Sequence, residues 1–367
     1  MHNRPRETHE EKLERKEKLR PKVEKYKLLS QVVFANHHAH RYDAEALAMS
    51  GKLLENNPEV YTVWNYRKLA VVHMLQTMAA NEGKAILDGE LKLTVKALQK
   101  NPKSYGTWHH RKWVVSQGHT DFHKELVLCG QMLDLDERNF HCWSYRRYIA
   151  QRLQRSHEEE LEFTTSKIEQ NFSNYSAWHY RTHLLSNTHA AAPCPVSEQG
   201  TGEEDRVTCM SRPQMYCYDL AEAHAATQAL STSVLDSEFD LVQQALFTEP
   251  ADQSGWLYHR WLLGQVLHPE VDTMTRETTL AREAQMLGEL LDIEPNSKWC
   301  MLTMARVLQA QIPDSHDERV TKLEDVKRLY RKLVESDPMR KQYFQDAAAN
   351  VTNRLSEKSG DPSIVCP

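Results

Sequence analysis

The sequence predicts an all-α protein assembled from stacked helical hairpins, and three observations carry that expectation. A Trp-x-x-Arg pair recurs behind a short turn rich in Asn, Asp and Pro, in the strings NPEVYTVWNYR, NPKSYGTWHHR, DERNFHCWSYR and NFSNYSAWHYR. Amphipathic stretches fill the intervals between these pairs. Helix breakers are scarce, with 12 Gly and 14 Pro among 367 residues.

The tryptophans Trp64, Trp108, Trp143 and Trp178 lie 44, 35 and 35 residues apart. Self-similarity at this period marks arrays of helical hairpins. The pattern returns as EPADQSGWLYHRW, where Trp256 stands six residues beyond Pro250 as Trp64 stands beyond Pro58. A worn sixth copy, EPNSKWCML, contains Trp299.

Each copy reads as two helices. Leu87, Leu91, Val95 and Leu98 recur at three- and four-residue steps, as do Leu235, Phe239, Val242 and Leu246, and such spacing places them on one helical face. In the second copy the first helix is expected to stop near Asn101 and Pro102, because proline cannot continue a helix and biases the residue before it away from helical angles. The second helix then opens near Tyr105 and carries Trp108 and Arg111 on one face. The structural reading of such a pair has the ring filling the gap between hairpins while the guanidinium fork ties down carbonyls or a carboxylate of the next one.

The remaining segments escape the pattern. Residues 1–25 are charged and short of apolar anchors, giving at best a solvated helix. Repeats 1–4 are expected over residues 26–187, and repeats 5–6 with closing helices over 233–355. Residues 188–232 mix Pro, Gly, Ser and Thr without period and read as a disordered insertion, and 356–367 as a loose tail.

Composition bounds the function classes. At 40% hydrophobic and 26% charged, with net charge −5, the chain has no global drive toward nucleic acid. No run of about 18 apolar residues appears, nor an apolar core for a signal peptide, so the cytoplasm is the expected compartment. Seven cysteines without a close CxxC pair read as free thiols. Walker, HExxH and GxSxG motifs are absent from the sequence. The HHAH string at His37, His38 and His40 reads as a helix face more readily than as a metal site.

One copy stands out chemically. Lys103 and Tyr105 occupy the turn that opens a helix, where free backbone N–H groups and the dipole favour an anion. A phosphate-rich ligand could dock there; the plainer alternative is a solvated lysine.

The strings NPKSYGTWHHR, DERNFHCWSYRR and NFSNYSAWHYR resemble the alpha subunits of protein prenyltransferases. DERNFHCW, FSNYSAWHYR, DQSGWLYHRWLLG and EPNSKWCMLT are most similar to the Rab geranylgeranyltransferase branch, over roughly residues 26–187 and 233–345. The resemblance implies a right-handed α–α superhelix, a crescent of about six hairpins wrapped around a beta subunit that holds zinc and the isoprenoid pocket. It also implies that Lys103 and Tyr105 face the diphosphate of geranylgeranyl diphosphate, with His141 close by. A Rab escort protein would present the Rab GTPase, and His2 is matched to a family histidine that can reach the partner's zinc. Immunoglobulin-like and leucine-rich segments of larger relatives find no counterpart after WLLGQVLHPEV. Two other readings stay open: the alpha subunit shared by farnesyltransferase and geranylgeranyltransferase type I, and a non-enzymatic scaffold of tetratricopeptide type.

Overall fold

The structure, a computed structural model, describes residues 8–188, 229–312 and 315–356. Every regular element among these residues is helical. His2, most of the expected 188–232 insertion and nearly all of the expected tail lie outside the described residues.

The chain divides into two compact units, residues 1–154 and 155–367. The first holds α1 (His9–His38) followed by three hairpins: α2 (Ala44–Asn56) with α3 (Tyr61–Thr77), α4 (Ala80–Lys100) with α5 (Tyr105–Ser116), and α6 (Phe122–Leu135) with α7 (Phe140–Arg152). The second holds α8 (His157–Gln170) with α9 (Tyr175–Thr188), α10 (Thr232–Thr248) with α11 (Gln253–Val266), and α12 (Thr273–Ile293) with α13 (Lys298–Ala310). It closes with α14 (His316–Ser336), a 3₁₀ turn at Pro338–Arg340, and α15 (Lys341–Ser356).

The boundary expected near residue 25 is not a break. A Thr8–Glu11 capping box starts α1, and the helix continues through Pro21. Its second half packs Tyr26, Leu29, Val33 and Phe34 against Leu53, Leu54, Val63 and Trp64 of the first hairpin. That anchor lets the solvated first half extend outward, aided by i,i+4 pairs such as Lys18 with Glu14.

The six-residue offset between turn and tryptophan has a physical cause. Each indole N–H donates to the carbonyl six residues earlier: Trp64 to Pro58 at 2.9 Å, Trp108 to Pro102 at 2.9 Å and Trp143 to Glu137 at 2.7 Å. In the second unit Trp178 reaches Phe172 at 2.8 Å and Trp256 reaches Pro250 at 3.0 Å. The ring fills the space behind the turn, and its one donor satisfies a carbonyl that the turn leaves without a helical partner. In the worn copy the equivalent helical position belongs to the buried Met301, two residues beyond Trp299. Trp299 lies instead beneath Lys298 and Arg340, 5.4 and 5.6 Å from its ring.

The arginines bind in two directions. Nη1 of Arg111 ties its own hairpin together through the Leu91 carbonyl at 3.0 Å and Thr94 Oγ1 at 2.7 Å, 20 and 17 residues back. Its Nε and Nη2 form a fork on Glu125 of the next hairpin at 2.8 and 2.7 Å. Arg67 treats Leu47, Ser50 and Glu90 in the same way, and Arg181 treats Leu161, Thr164 and Glu238.

Glutamates at this helical position, Glu160 among them, also receive a donor from the second helix of their own hairpin. Tyr145 donates to Glu125 at 2.6 Å, Tyr258 to Glu238 at 2.7 Å and Tyr180 to Glu160 at 3.0 Å, always across 20 residues. In the second copy His110 stands where the first, third, fourth and fifth have tyrosine, and its Nε2 meets Glu90 Oε2 at 2.8 Å. The fifth copy changes the arginine instead, placing His259 Nε2 2.8 Å from Glu283.

Two of these buried groups shift one another's pKa. Burial works against the charge on Glu90, but hydrogen bonds from His110 and Arg67 overrule it and hold its carboxyl below the usual range. Burial also lowers the pKa of His110, outweighing the pull of Glu90, so the ring is neutral at pH 7 and donates from Nε2. Both shifts have the same consequence. A depressed folded-state pKa contributes stability above the unfolded value, and this is lost as pH falls through it.

Two outcomes follow for stability. Truncating Arg111→Ala should cost about 3–5 kcal/mol, because Glu125 is left buried with its charge uncompensated; denaturant midpoints of wild type and variant would measure it. Wild-type stability should fall as pH drops below about 6.5, the unfolded histidine value. Replacing His110→Tyr, the residue at this place in four of the other copies, should flatten that decline in thermal melts between pH 7 and 5.

Candidate functional site

The turn between α4 and α5 is held by its own side chains. Asn101 leaves the helix with extended backbone angles, and its Oδ1 accepts the Lys103 N–H at 3.1 Å. Ser104 caps α5 by accepting the Thr107 N–H at 3.3 Å. The Pro102 carbonyl receives both the Trp108 indole and the Asn139 amide, at 2.9 and 3.0 Å. A backbone pinned at this many points aims the side chains of residues 103 and 105 outward.

The first residues of α5 and α7 meet there. Asn139 caps α7, its Oδ1 accepting the N–H of His141 and Cys142, both at 3.2 Å. The His141 ring packs edge-on to Tyr105, with centroids 4.1 Å apart and planes at 87°. Phe140 closes the other side, 4.0 Å from His141 and 6.1 Å from Tyr105. Tyr105 is 60% exposed whereas His141 is only 8% exposed, so the phenol reaches solvent over a nearly covered imidazole.

Lys103, Tyr105 and His141 are thus brought together by the stacking of the second hairpin on the third. Burial lowers the pKa of His141 first and the nearby Lys103 charge lowers it further, against the opposing pull of Glu59. The imidazole is neutral at pH 7, and its buried Nε2 has no hydrogen-bond partner. The Lys103 ammonium, the Tyr105 phenol and the His141 imidazole thus stand at the N-terminal ends of α5 and α7, where the helix dipoles favour negative charge. Such a set can stabilise negative charge on oxygen.

Sequence reasoning missed Asp136. Its Oδ2 lies 3.2 Å from Lys103 Nζ, while its Oδ1 accepts the Arg138 N–H at 3.3 Å. Asn57, Asn101 and Asn171 make that same turn bond to residues 59, 103 and 173. An amide therefore suffices for the turn, and the charge at position 136 is surplus to it. The signal was an Asp where three sister copies have Asn.

No group of three or more His, Cys, Asp or Glu able to hold a metal occurs among the described residues. Two of the HHAH histidines meet aromatic neighbours edge to face, His37 with Tyr66 at 5.5 Å and His40 with Tyr42 at 6.2 Å. The described thiols are enclosed: burial pushes Cys300 up to about 12, and Cys142 donates to the Cys129 carbonyl at 3.5 Å.

Known proteins share this repeat. The protein prenyltransferase alpha subunit repeat matches residues 43–74, 87–118, 122–153, 157–188 and 235–266. A geranylgeranyl transferase type-2 subunit alpha from Dictyostelium discoideum is 32% identical over 312 residues, covering 85% of this chain and 86% of that protein. The chain belongs to the protein prenyltransferase alpha subunit family, on its geranylgeranyl transferase type-2 branch.

Other members of that branch agree. The Schizosaccharomyces pombe subunit is 29% identical over 364 residues, covering 92% of this chain and 94% of that protein. An Arabidopsis thaliana subunit alpha 1 is 43% identical over 277 residues, or 75% of this chain, which spans only 36% of that longer protein. The fold is that of a chain in the Candida albicans protein geranylgeranyltransferase-I complexed with GGPP, with TM-score 0.63 at 18% identity over 89% of this chain and 91% of that one. These family relationships do not favour the shared type I subunit or the tetratricopeptide scaffold.

The arrangement makes a spectroscopic prediction. Because the Lys103 charge depresses the His141 pKa, Lys103→Met should raise it, as read from the imidazole proton shifts in an NMR titration. An unchanged titration would place the ammonium away from the ring.

Proposed function

We propose that this chain is the alpha half of a heterodimeric protein geranylgeranyltransferase of type 2, working in the cytoplasm. The beta subunit would hold the isoprenoid pocket, and the substrate would be C-terminal cysteines of Rab GTPases presented by an escort protein. Membership of the type-2 alpha family supports the reading. The single observation that carries the chemistry is the convergence of Lys103, Tyr105 and His141 at the N-termini of α5 and α7.

In this reading the transfer forms a bond between a cysteine sulfur and the allylic carbon of geranylgeranyl diphosphate while the carbon–oxygen bond breaks. The electron pair leaves on the diphosphate. A zinc ion, carried by the partner subunit, supplies the chemistry of lowering the cysteine pKa. The contribution of this chain is to the leaving group. Lys103 offers a point charge, Tyr105 an O–H donor and His141 an N–H donor, already oriented by caps and ring packing before the charge develops. Such contacts accelerate transfer to the extent that they tighten in the transition state.

The Lys103–Asp136 pair does not oppose this role. Both groups reach solvent, and exposed pairs contribute about 0–1 kcal/mol. A diphosphate carrying several negative charges outcompetes a single carboxylate for the ammonium.

Replacing Lys103→Ala should leave the heterodimer intact and slow single-turnover prenyl transfer by about 10²–10³, the cost of one preorganised donor in comparable oxyanion sites. Equal rates for variant and wild type, measured with saturating donor, would remove Lys103 from the mechanism.

A further inference from the structure

A second cationic feature lies in the same unit, away from Lys103. Lys68 of α3, His109 and Lys112 of α5, and Arg152 of α7 form a strip across three successive second helices. Two aromatic rings are set between them. The Lys68 ammonium lies 5.8 Å from the Trp113 ring, the Lys112 ammonium 4.5 Å from Tyr148, and the Arg152 guanidinium 5.3 Å from that same tyrosine.

The strip stands apart from the ion-paired basic side chains of this acidic protein. Lys18, Lys27, Lys96 and Lys327 each hold a glutamate, whereas none of the four strip residues pairs with a carboxylate among the described residues. They also act on one another. Burial lowers the pKa of His109, and the charges of Lys68 and Lys112 lower it further; burial lowers that of Lys112, with Arg152 adding to the effect. Crowding like charges without a counter-charge is unfavourable, and a partner that supplies carboxylates removes the cost.

The position of the strip says which partner. Tyr105, His109 and Lys112 are four and three residues apart, so one face of α5 carries both the phenol of the candidate site and two of the cations. On α3 the same register runs from the exposed Tyr61 through Lys68 to the exposed Leu69 and Val72. Any protein that seats a diphosphate against Tyr105 must therefore lie over this face. Exposed apolar groups beside the cations give it something to bury.

We propose that Lys68, His109, Lys112 and Arg152 form a docking strip for Asp and Glu side chains on the subunit that holds the prenyl diphosphate. This rests on the reading that the chain works with such a subunit. Carboxylates from that subunit would neutralise the strip, while Leu69 and Val72 supply apolar contact. The aromatic rings keep the cations in place before docking, through cation–π attraction. Such a surface speeds encounter and fixes register more than it adds affinity, and it weakens as salt screens it.

The test is association of the full chain with its beta subunit, measured by biosensor at about 50 and 500 mM salt, where screening lengths differ roughly threefold. Wild type should bind more weakly at high salt. Lys68→Glu with Lys112→Glu should raise Kd by about ten- to a hundredfold at low salt and reduce the salt dependence. The milder Lys68→Gln with Lys112→Gln should fall between them, and thermal melts of the free chains check that both variants fold. Unchanged Kd and salt slope in folded variants, with wild type pairing and transferring prenyl groups, would overturn the strip while leaving the function standing. A raised KM for the protein substrate at unchanged heterodimer Kd would overturn it too, assigning the strip to a different partner. If wild type neither pairs with a beta subunit nor supports transfer, the functional reading itself fails.

Discussion

The fold depends on a glutamate shared between two hairpins. Glu90, Glu125 and Glu238 each accept the fork of an arginine from the preceding hairpin and a tyrosine or histidine donor from their own. Neither partner alone would justify burying a carboxylate, since desolvation of an ion costs several kcal/mol. Together they satisfy its lone pairs and fix the angle at which one hairpin meets the next. The same arginine braces its own hairpin from within, so local and inter-hairpin order are coupled through one planar group.

That coupling also builds the candidate site. Lys103 and Tyr105 belong to one hairpin and His141 to the next, and they converge only because Arg111 and Tyr145 hold those hairpins through Glu125. The Asn139 amide reaching back to the Pro102 carbonyl adds a second tie close to the site itself. In the proposed role, donors that face a leaving group gain from a scaffold whose joints are buried ion pairs.

Much of the architecture was legible along the chain. The Trp-x-x-Arg faces and the Asn-Pro turns are local signals, and α4 ends at Lys100 and α5 begins at Tyr105 as those turns imply. The glutamates were not legible from the arginines, because the separations of 23, 14 and 57 residues share no period. Seen from the tyrosines, however, the separation is a constant 20 residues, a regularity the sequence does contain. Trp299 misled in the opposite sense: it looks like the repeat's tryptophan, but its place two residues early gives the core position to Met301. A residue type without its register is an unreliable guide.

By itself, then, the sequence determined the helices, their turns and the repeat, because these follow from short-range periodicity. Only the tertiary structure decided that Asp136 faces Lys103, that His141 lies nearly covered beneath Tyr105, and that Lys68, Lys112 and Arg152 share one strip. Those outcomes depend on how far each hairpin rotates against the next. That rotation is set by buried contacts between residues far apart in the chain, and no spacing along it records them.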